Sequence, residues 1–242
     1  MLQGKTAIIT GSAAGIGEGI AHLFAEHGAR LALVDCNTAH NEAVAHSLKA
    51  RAYSCDLRDS AAINRVAEAI QKEIGPADIL INNAGVYPRR ALMETTEQEW
   101  DDMQAVNLRS VFLMTKAVLP AMLARGSGKI VNMSSVTFHL GMANLAHYVA
   151  SKGGIIGLTR CAAREAGPRN VHVNCITPGA ILVEAEKAVQ TEEALQEILN
   201  QQSLKRRLLP IDIARTCLFL SSELSDGLTG QTLNVDGGWV MH

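Results

Sequence analysis

The 242-residue chain predicts a single-domain, doubly wound α/β fold: a seven-stranded parallel sheet with helices on both faces. Three observations carry that expectation. Short apolar runs alternate with amphipathic helical stretches along the whole chain, which gives right-handed crossovers between parallel strands. The runs are continuously apolar rather than alternating, as strands buried on both faces require. Several of them end in Gly, Asn, Asp or Pro, the residues that turn a chain where ligands bind in such sheets. No low-complexity tract, Pro-rich linker or repeat interrupts the pattern, so residues 1–242 read as one domain, with roughly 180–210 as a segment covering the substrate.

The elements follow in order. Lys5–Thr10 is the first strand, then a Gly-rich turn and a helical stretch Ile16–His27 stopped at Gly28. Leu31–Asp35 is the second strand and ends in an acid. Thr38–Leu48 is helical, Ala52–Cys55 extended, and Ser60–Ile74 helical up to the Gly75–Pro76 break. Asp78–Ile81 is the fourth strand and runs into Asn82-Asn83-Ala84-Gly85. A long helix spans about Thr96–Ala124, its acidic first turn suited to the helix dipole. Lys129–Met133 is the fifth strand, Tyr148–Ala166 a helix, and Val171–Ile176 the sixth strand, broken by Thr177-Pro178-Gly179. Glu184–Gln202 is a polar helical segment, Pro210–Leu220 the last helix, and Thr232–Val235 the seventh strand.

Composition excludes several classes. A net charge of -2 offers no basic field for nucleic acid or an anionic membrane. No run of 18 apolar residues is present, which speaks against a membrane span. The start MLQGKTAIIT enters a strand at once, with no basic leader before an apolar core. Five dispersed cysteines without a C-x-x-C pair predict reduced thiols, a cytoplasmic setting and no structural metal.

The chemistry concentrates at strand ends. In Thr10-Gly11-Ser12-Ala13-Ala14-Gly15-Ile16-Gly17, Gly11 permits a tight turn, Gly15 admits a pyrophosphate and Gly17 lets helix and sheet approach. The helix N-terminus behind them favours phosphate. Asp35 ends the second strand, where a carboxylate accepts from ribose hydroxyls and repels a 2′-phosphate. Cys36 follows it, and no Arg or Lys lies in Ser12–Ala14 to neutralise that phosphate, so NAD is the expected cofactor. Tyr148 and Lys152, four apart on a helix, share a face, and an ammonium beside a phenol lowers the phenol pKa. Ser135 ends the fifth strand and can donate to a substrate oxygen, while Asn107 is a mid-helix amide suggestive of a second role.

Together these residues resemble the short-chain dehydrogenase/reductase family over essentially the whole chain, from Thr10–Gly17 through Asp56, Asn82–Gly85, Asn107, Ser135, Tyr148-x-x-x-Lys152 and Pro178–Gly179 to Gly230–Gly238. The resemblance implies a Rossmann fold and an NAD-linked oxidoreductase that interconverts a secondary alcohol and a ketone. Tyr148 would be the general acid/base, Lys152 would hold the nicotinamide ribose, Ser135 would orient the reacting oxygen and Asn107 would hold a relay water. Gly11, Ser12, Ala14, Gly15, Ile16, Gly17, Asp35 and Cys36 would hold the dinucleotide. Asp56, with Leu57, would meet its adenine edge, Asn83 would support the strand end at the cofactor beside Ala84 and Gly85, and Ile181 would lie against the nicotinamide carboxamide, with Pro178 and Gly179 also cofactor-binding. Val183 stands where many members carry a Thr that contacts the carboxamide.

For the substrate, Tyr87, Val136, Phe138, Met142 and Leu145 predict a largely apolar wall, with Leu140 beside them, suited to a ring-bearing secondary alcohol. A polyol, or an anion held by Arg89, Arg90 or Arg206, is the competing expectation. A 3-oxoacyl thioester reductase usually wants NADP, against which Asp35 speaks; a non-catalytic regulator would show a broken Tyr, Lys or Ser position. In the family, helices matching Asn107–Ala124 and Val149–Ala163 pair across a two-fold axis, which implies a homotetramer with Trp239–His242 near a neighbour's pocket.

Overall fold

The computed structural model describes residues 1–184 and 191–241. Seven parallel strands, β1 (Thr6–Thr10), β2 (Arg30–Asp35), β3 (Arg51–Ser54), β4 (Ile79–Asn82), β5 (Gly128–Met133), β6 (Val171–Pro178) and β7 (Thr232–Val235), form one sheet in the order β3-β2-β1-β4-β5-β6-β7. The order reverses between β1 and β4, and a ligand crevice is expected outside the carboxyl ends there. Helices α1 (Gly15–Glu26), α2 (Thr38–Leu48), α3 (Ser60–Glu73), α4 (Glu97–Gln104), α5 (Ser110–Arg125), α6 (Thr137–Leu140), α7 (Ala146–Ala166), α8 (Glu192–Gln201) and α9 (Pro210–Ser221) make the connections.

Alternate strand residues serve opposite cores, because successive side chains point to opposite faces. Ile9, Leu33, Ile81, Val131 and Ile176 pack with Ile20 and Phe24 of α1 and Ile213 and Cys217 of α9. Ile8, Val34, Leu80, Ile130 and Val173 pack with Ile63 of α3, Met114 and Met122 of α5, and Ala163 and Ala166 of α7. Local chemistry sets the helix starts: Asn37 caps α2, Asp59 caps α3, and Thr96 with Glu99 forms a capping box on α4.

Two expectations need correction. The helix predicted over Thr96–Ala124 is broken by a π-turn at Ala105–Arg109 between α4 and α5. Glu97–Arg125 is also long and apolar enough to cross a membrane by length and composition, though it holds no 18-residue apolar run. It lies inside the fold, against α3 and α7, with Met114, Val118 and Met122 buried. Part of the segment predicted helical over Glu184–Gln202 lies outside the described residues; the described helical part is α8.

Candidate active site

The Gly-rich turn is held at the switch point by hydrogen bonds from β4. Asn83 Nδ2 donates to the carbonyls of Thr10 and Gly11, each at 3.0 Å. The amides of Asn83 and Ala84 both donate to Thr10 Oγ1 at 3.1 Å. Thr10 is a positioning residue that sequence reasoning missed, since a strand Thr carries no signal of its own. The turn tolerates no side chains at its two tightest points. A Cβ on Gly11 would come within 2.8 Å of Ala84 Cα, and one on Gly17 within 1.9 Å of the Gly11 carbonyl oxygen. Ala14 offers no side-chain cap to α1, so first-turn amides stay free for an anion. Ser12 behaves differently from a phosphate-binding hydroxyl: it is buried and donates to Asn41 Oδ1 at 2.8 Å, leaving only its backbone for a ligand.

A groove runs along the carboxyl ends in two lobes that share Gly85. The first holds Gly11, Asp35, Cys36, Asp56, Leu57, Ala84 and Val86. Asp35 accepts from the amides of Ala13 at 3.0 Å and Asn37 at 2.8 Å, which fixes the carboxylate while leaving lone pairs for hydroxyl donors. Asp56 is clasped by Arg58, with Nη2 at 2.7 Å, and that hydrogen bonding holds its carboxyl below the usual range. Glu99 and Asp102 line the same lobe; Arg58 pairs with Asp56 and Arg90 with Glu99, so the lobe keeps an excess of negative charge at Asp35 and Asp102. The glycine cradle, free amides and ribose-suited acid fit a dinucleotide.

The second lobe holds Ile16, Asn83, Ser135, Tyr148, Lys152, Pro178, Gly179, Ile181 and Val183. Lys152 is buried; its Nζ donates to the Met133 carbonyl at 2.8 Å and lies 5.5 Å from the Tyr148 ring centre. Ser134 Oγ donates to the Lys152 carbonyl at 2.8 Å, tying α7 to the end of β5. Behind it runs a buried amide–hydroxyl network the sequence did not reveal: Asn82 Nδ2 to Asn132 Oδ1 at 2.8 Å, and Asn132 Nδ2 to Thr159 Oγ1 at 2.9 Å. It aligns β4, β5 and α7, the three elements that carry the site. Thr137 donates to Ser135 Oγ through its amide at 3.2 Å and its hydroxyl at 3.0 Å. With those lone pairs occupied, Ser135 has only its proton to give, and that proton is directed at Tyr148, beside the place a reacting oxygen would take.

The expected lowering of the Tyr148 pKa is not what the structure shows. Burial pushes Tyr148 up to about 12, partly offset by its hydrogen bond with Ser135 and reinforced by Tyr87. Burial also pulls Lys152 down to about 8. Both charges are disfavoured by the same apolar enclosure, so the phenol is neutral near neutral pH.

Asn107 holds the backbone beside the site. Its Oδ1 accepts from the Val86 amide and its Nδ2 donates to the Val86 carbonyl, both at 2.9 Å. The side chain thereby clamps the segment after β4. The π-turn that carries Asn107 aims it there, and continuous helical periodicity concealed that turn.

The walls of the second lobe are Tyr87, Val136, Met142 and Leu145 as expected, joined by Thr137, Ile198 of α8 and Trp239. Phe138 and Leu140 are not among them. Both are exposed on α6, and the Phe138 ring covers Gly153 of α7, where an added Cβ would meet it at 2.8 Å. Trp239 lines the cleft of its own chain, and its Nε1 donates to Gln201 Oε1 at 2.8 Å. Arg206 is held by Asp212 through two 2.8 Å contacts and lies outside the cleft; Arg89 lines it.

Residues 11–240 match the family described as enoyl-(acyl carrier protein) reductase. The chain is 38% identical over 244 residues to a probable galactose dehydrogenase of Rhizobium meliloti, covering 98% of this chain and 95% of that one. It is 37% identical to a 3-oxoacyl-[acyl-carrier-protein] reductase of Staphylococcus aureus over 100% of both chains. Among solved structures, one described as a putative gluconate dehydrogenase from Agrobacterium tumefaciens superposes with a TM-score of 0.95 at 31% identity, covering 99% of this chain and 98% of that one. The chain belongs to the short-chain dehydrogenase/reductase family and is an oxidoreductase of the alcohol–carbonyl type.

Proposed function

We propose that the protein is an NAD(H)-linked dehydrogenase of a secondary alcohol, with Tyr148 as general acid/base. The observation that carries the cofactor choice is the acidic first lobe: Arg58 is spent on Asp56 and Arg90 on Glu99, which leaves Asp35 and Asp102 without an ion pair among the described residues. Such a field disfavours the extra phosphate of NADP. NAD is expected to exceed NADP in kcat/KM by about 10²-fold, equivalent to roughly 3 kcal/mol. Asp35→Ser should narrow that gap, and equal kcat/KM for both cofactors in the unmodified enzyme would overturn the assignment.

Gly11, the first turn of α1, Asp35, Asn83–Gly85 and Pro178–Val183 would hold the dinucleotide, which supplies the hydride acceptor when bound. Ser135 orients the alcohol oxygen by turning its proton from Tyr148 to the substrate. Tyr148 removes the hydroxyl proton in oxidation and returns it to the carbonyl oxygen in reduction. A neutral phenol is already the acid that reduction needs, and oxidation needs the phenolate, so oxidation should climb with pH more steeply than reduction falls. Lys152, fixed by Met133, is placed to bind ribose hydroxyls and carry the proton onward.

Val136, Met142, Leu145, Ile198 and Trp239 favour a ring-bearing alcohol over a linear polyol. Burying such a ring contributes about 1.5–3 kcal/mol. A thioester reductase is the second reading, supported by the full-length likeness to the 3-oxoacyl reductase. Turnover of a 3-oxoacyl thioester with NADPH exceeding that of alcohols with NAD would establish it instead.

The five cysteines, all free, fit a reducing cytoplasmic setting. The outer faces of α5 and α7 leave an apolar groove lined by Phe112, Leu119, Leu123 and Leu158, which supports pairing of these helices in a homotetramer. Light scattering at micromolar concentration should give a tetramer; a monomer would remove the assembly proposal.

A further inference from the structure

The two lobes of the groove differ in charge, and that difference bears on the substrate. We infer that the alcohol substrate carries a carboxylate and that Arg89 is the residue that recognises it, a refinement resting on the reading of the second lobe as the substrate site. Among the described residues lining that lobe there is no Asp or Glu, and Lys152, its other cation, is tied to the Met133 carbonyl and the chemistry.

Neighbouring arginines are neutralised while Arg89 is not. Arg90 pairs with Glu99 at 2.9 Å, and Arg206 pairs with Asp212 at 2.8 Å. Arg89 has no ion pair or hydrogen bond with any described residue, yet it faces a cleft walled by Val136, Met142, Leu145, Ile198 and Trp239. A cation beside low-dielectric walls and without a counterion focuses its field on an incoming anion.

The backbone around Arg89 is anchored, which suits recognition. Pro88 restricts the chain before it, and the Arg90 amide donates to the Asn144 carbonyl at 2.9 Å. That bond joins the segment to the loop carrying Met142 and Leu145, so the backbone that carries the exposed Arg89 side chain is set together with the apolar wall. An edge of the guanidinium offers a two-pronged fork, which matches the two oxygens of a monocarboxylate. A phosphate dianion calls for more positive charge than the described lining supplies.

The test uses the enzyme–NADH complex and two matched ligands, phenylacetate and phenylacetamide, with binding read by calorimetry. A second pair, 3-hydroxy-3-phenylpropanoate and its amide, is followed by NAD reduction. The carboxylate should bind about 10- to 100-fold more tightly than the amide, with the same preference in kcat/KM arising mainly in KM. That ratio should fall towards one in Arg89→Leu and shrink at high salt, while Arg90→Leu retains it.

Equal affinity for acid and amide, a ratio unchanged in Arg89→Leu, failure of the carboxylate to bind, or a stronger preference for phenyl phosphate would each overturn the inference. Arg89-dependent carboxylate binding without oxidation of either alcohol would sustain it while refuting the dehydrogenase reading. Equal oxidation of both alcohols, independent of Arg89, would do the reverse.

Discussion

Tyr148→Phe is expected to lower turnover by about 10²–10⁴-fold in both directions, the usual contribution of a positioned acid–base group. NADH affinity should stay within a few-fold, because the ring remains and only the hydroxyl is lost. The variant should fold normally: Ser135 keeps its two hydrogen bonds from Thr137, and the edge contact of Tyr148 with Tyr87 survives. A stability readout separates the proton role from a packing role. The folded-state pKa of Tyr148 is raised from 10.0 to about 12 by burial. The unfolded state therefore loses this proton first, and stability attributable to Tyr148 is present below pH 10 and lost as pH rises towards 12. Tyr148→Phe should lack that alkaline loss. Turnover within a few-fold of the unmodified enzyme would remove Tyr148 from the mechanism.

The inner strands were legible because each is a short run buried on both faces, a pattern that needs no partner to be recognised; the edge strands β3 and β7 are only partly buried and were placed by the breaks around them. β7 matched its prediction to the residue, and the others differ by no more than two residues at an end. The Gly-rich turn, Asp35, Ser135, Tyr148 and Lys152 were legible because their chemistry demands particular residue types at strand and helix ends. What stayed hidden depends on direction in space. Phe138 lies two residues beyond Val136, but the single turn of α6 sends Val136 inward and Phe138 outward over Gly153. Arg89 and Arg206 are indistinguishable as letters, and only the Asp212 contact to Arg206 separates them. Trp239 folds onto its own cleft because the tail is pinned internally, with the Leu204 amide donating to the Gly237 carbonyl at 2.8 Å. The Tyr148 pKa failed for a related reason: spacing shows that Lys152 is near, whereas the sign of the shift is decided by burial.

Lys152→Met should make the enzyme nearly inactive and, without cofactor, more stable. Lys152 is buried, and burial lowers its pKa from 10.5 to about 8. At pH 7 the folded protein therefore holds a charge it disfavours, at a cost of roughly 3 kcal/mol. The sign follows from proton binding: between about pH 8 and 10.5 the unfolded state holds the proton and the folded state releases it, so stability rises with pH and the penalty disappears. Methionine of similar length removes the charge but leaves the Met133 carbonyl without its Nζ donor, which costs about 1–3 kcal/mol. A net gain of about 1 kcal/mol at pH 7 is expected, with the advantage over the unmodified enzyme narrowing between pH 8 and 10.5. Saturating NADH should reverse the order, because a ligand stabilises the form that binds it and Lys152 is proposed to grip the ribose. Thermal melts with and without NADH at pH 7 and 10 measure all of this. A variant less stable at pH 7 without cofactor, with a gap independent of pH, would mean that Lys152 is structural and that its burial carries no functional cost.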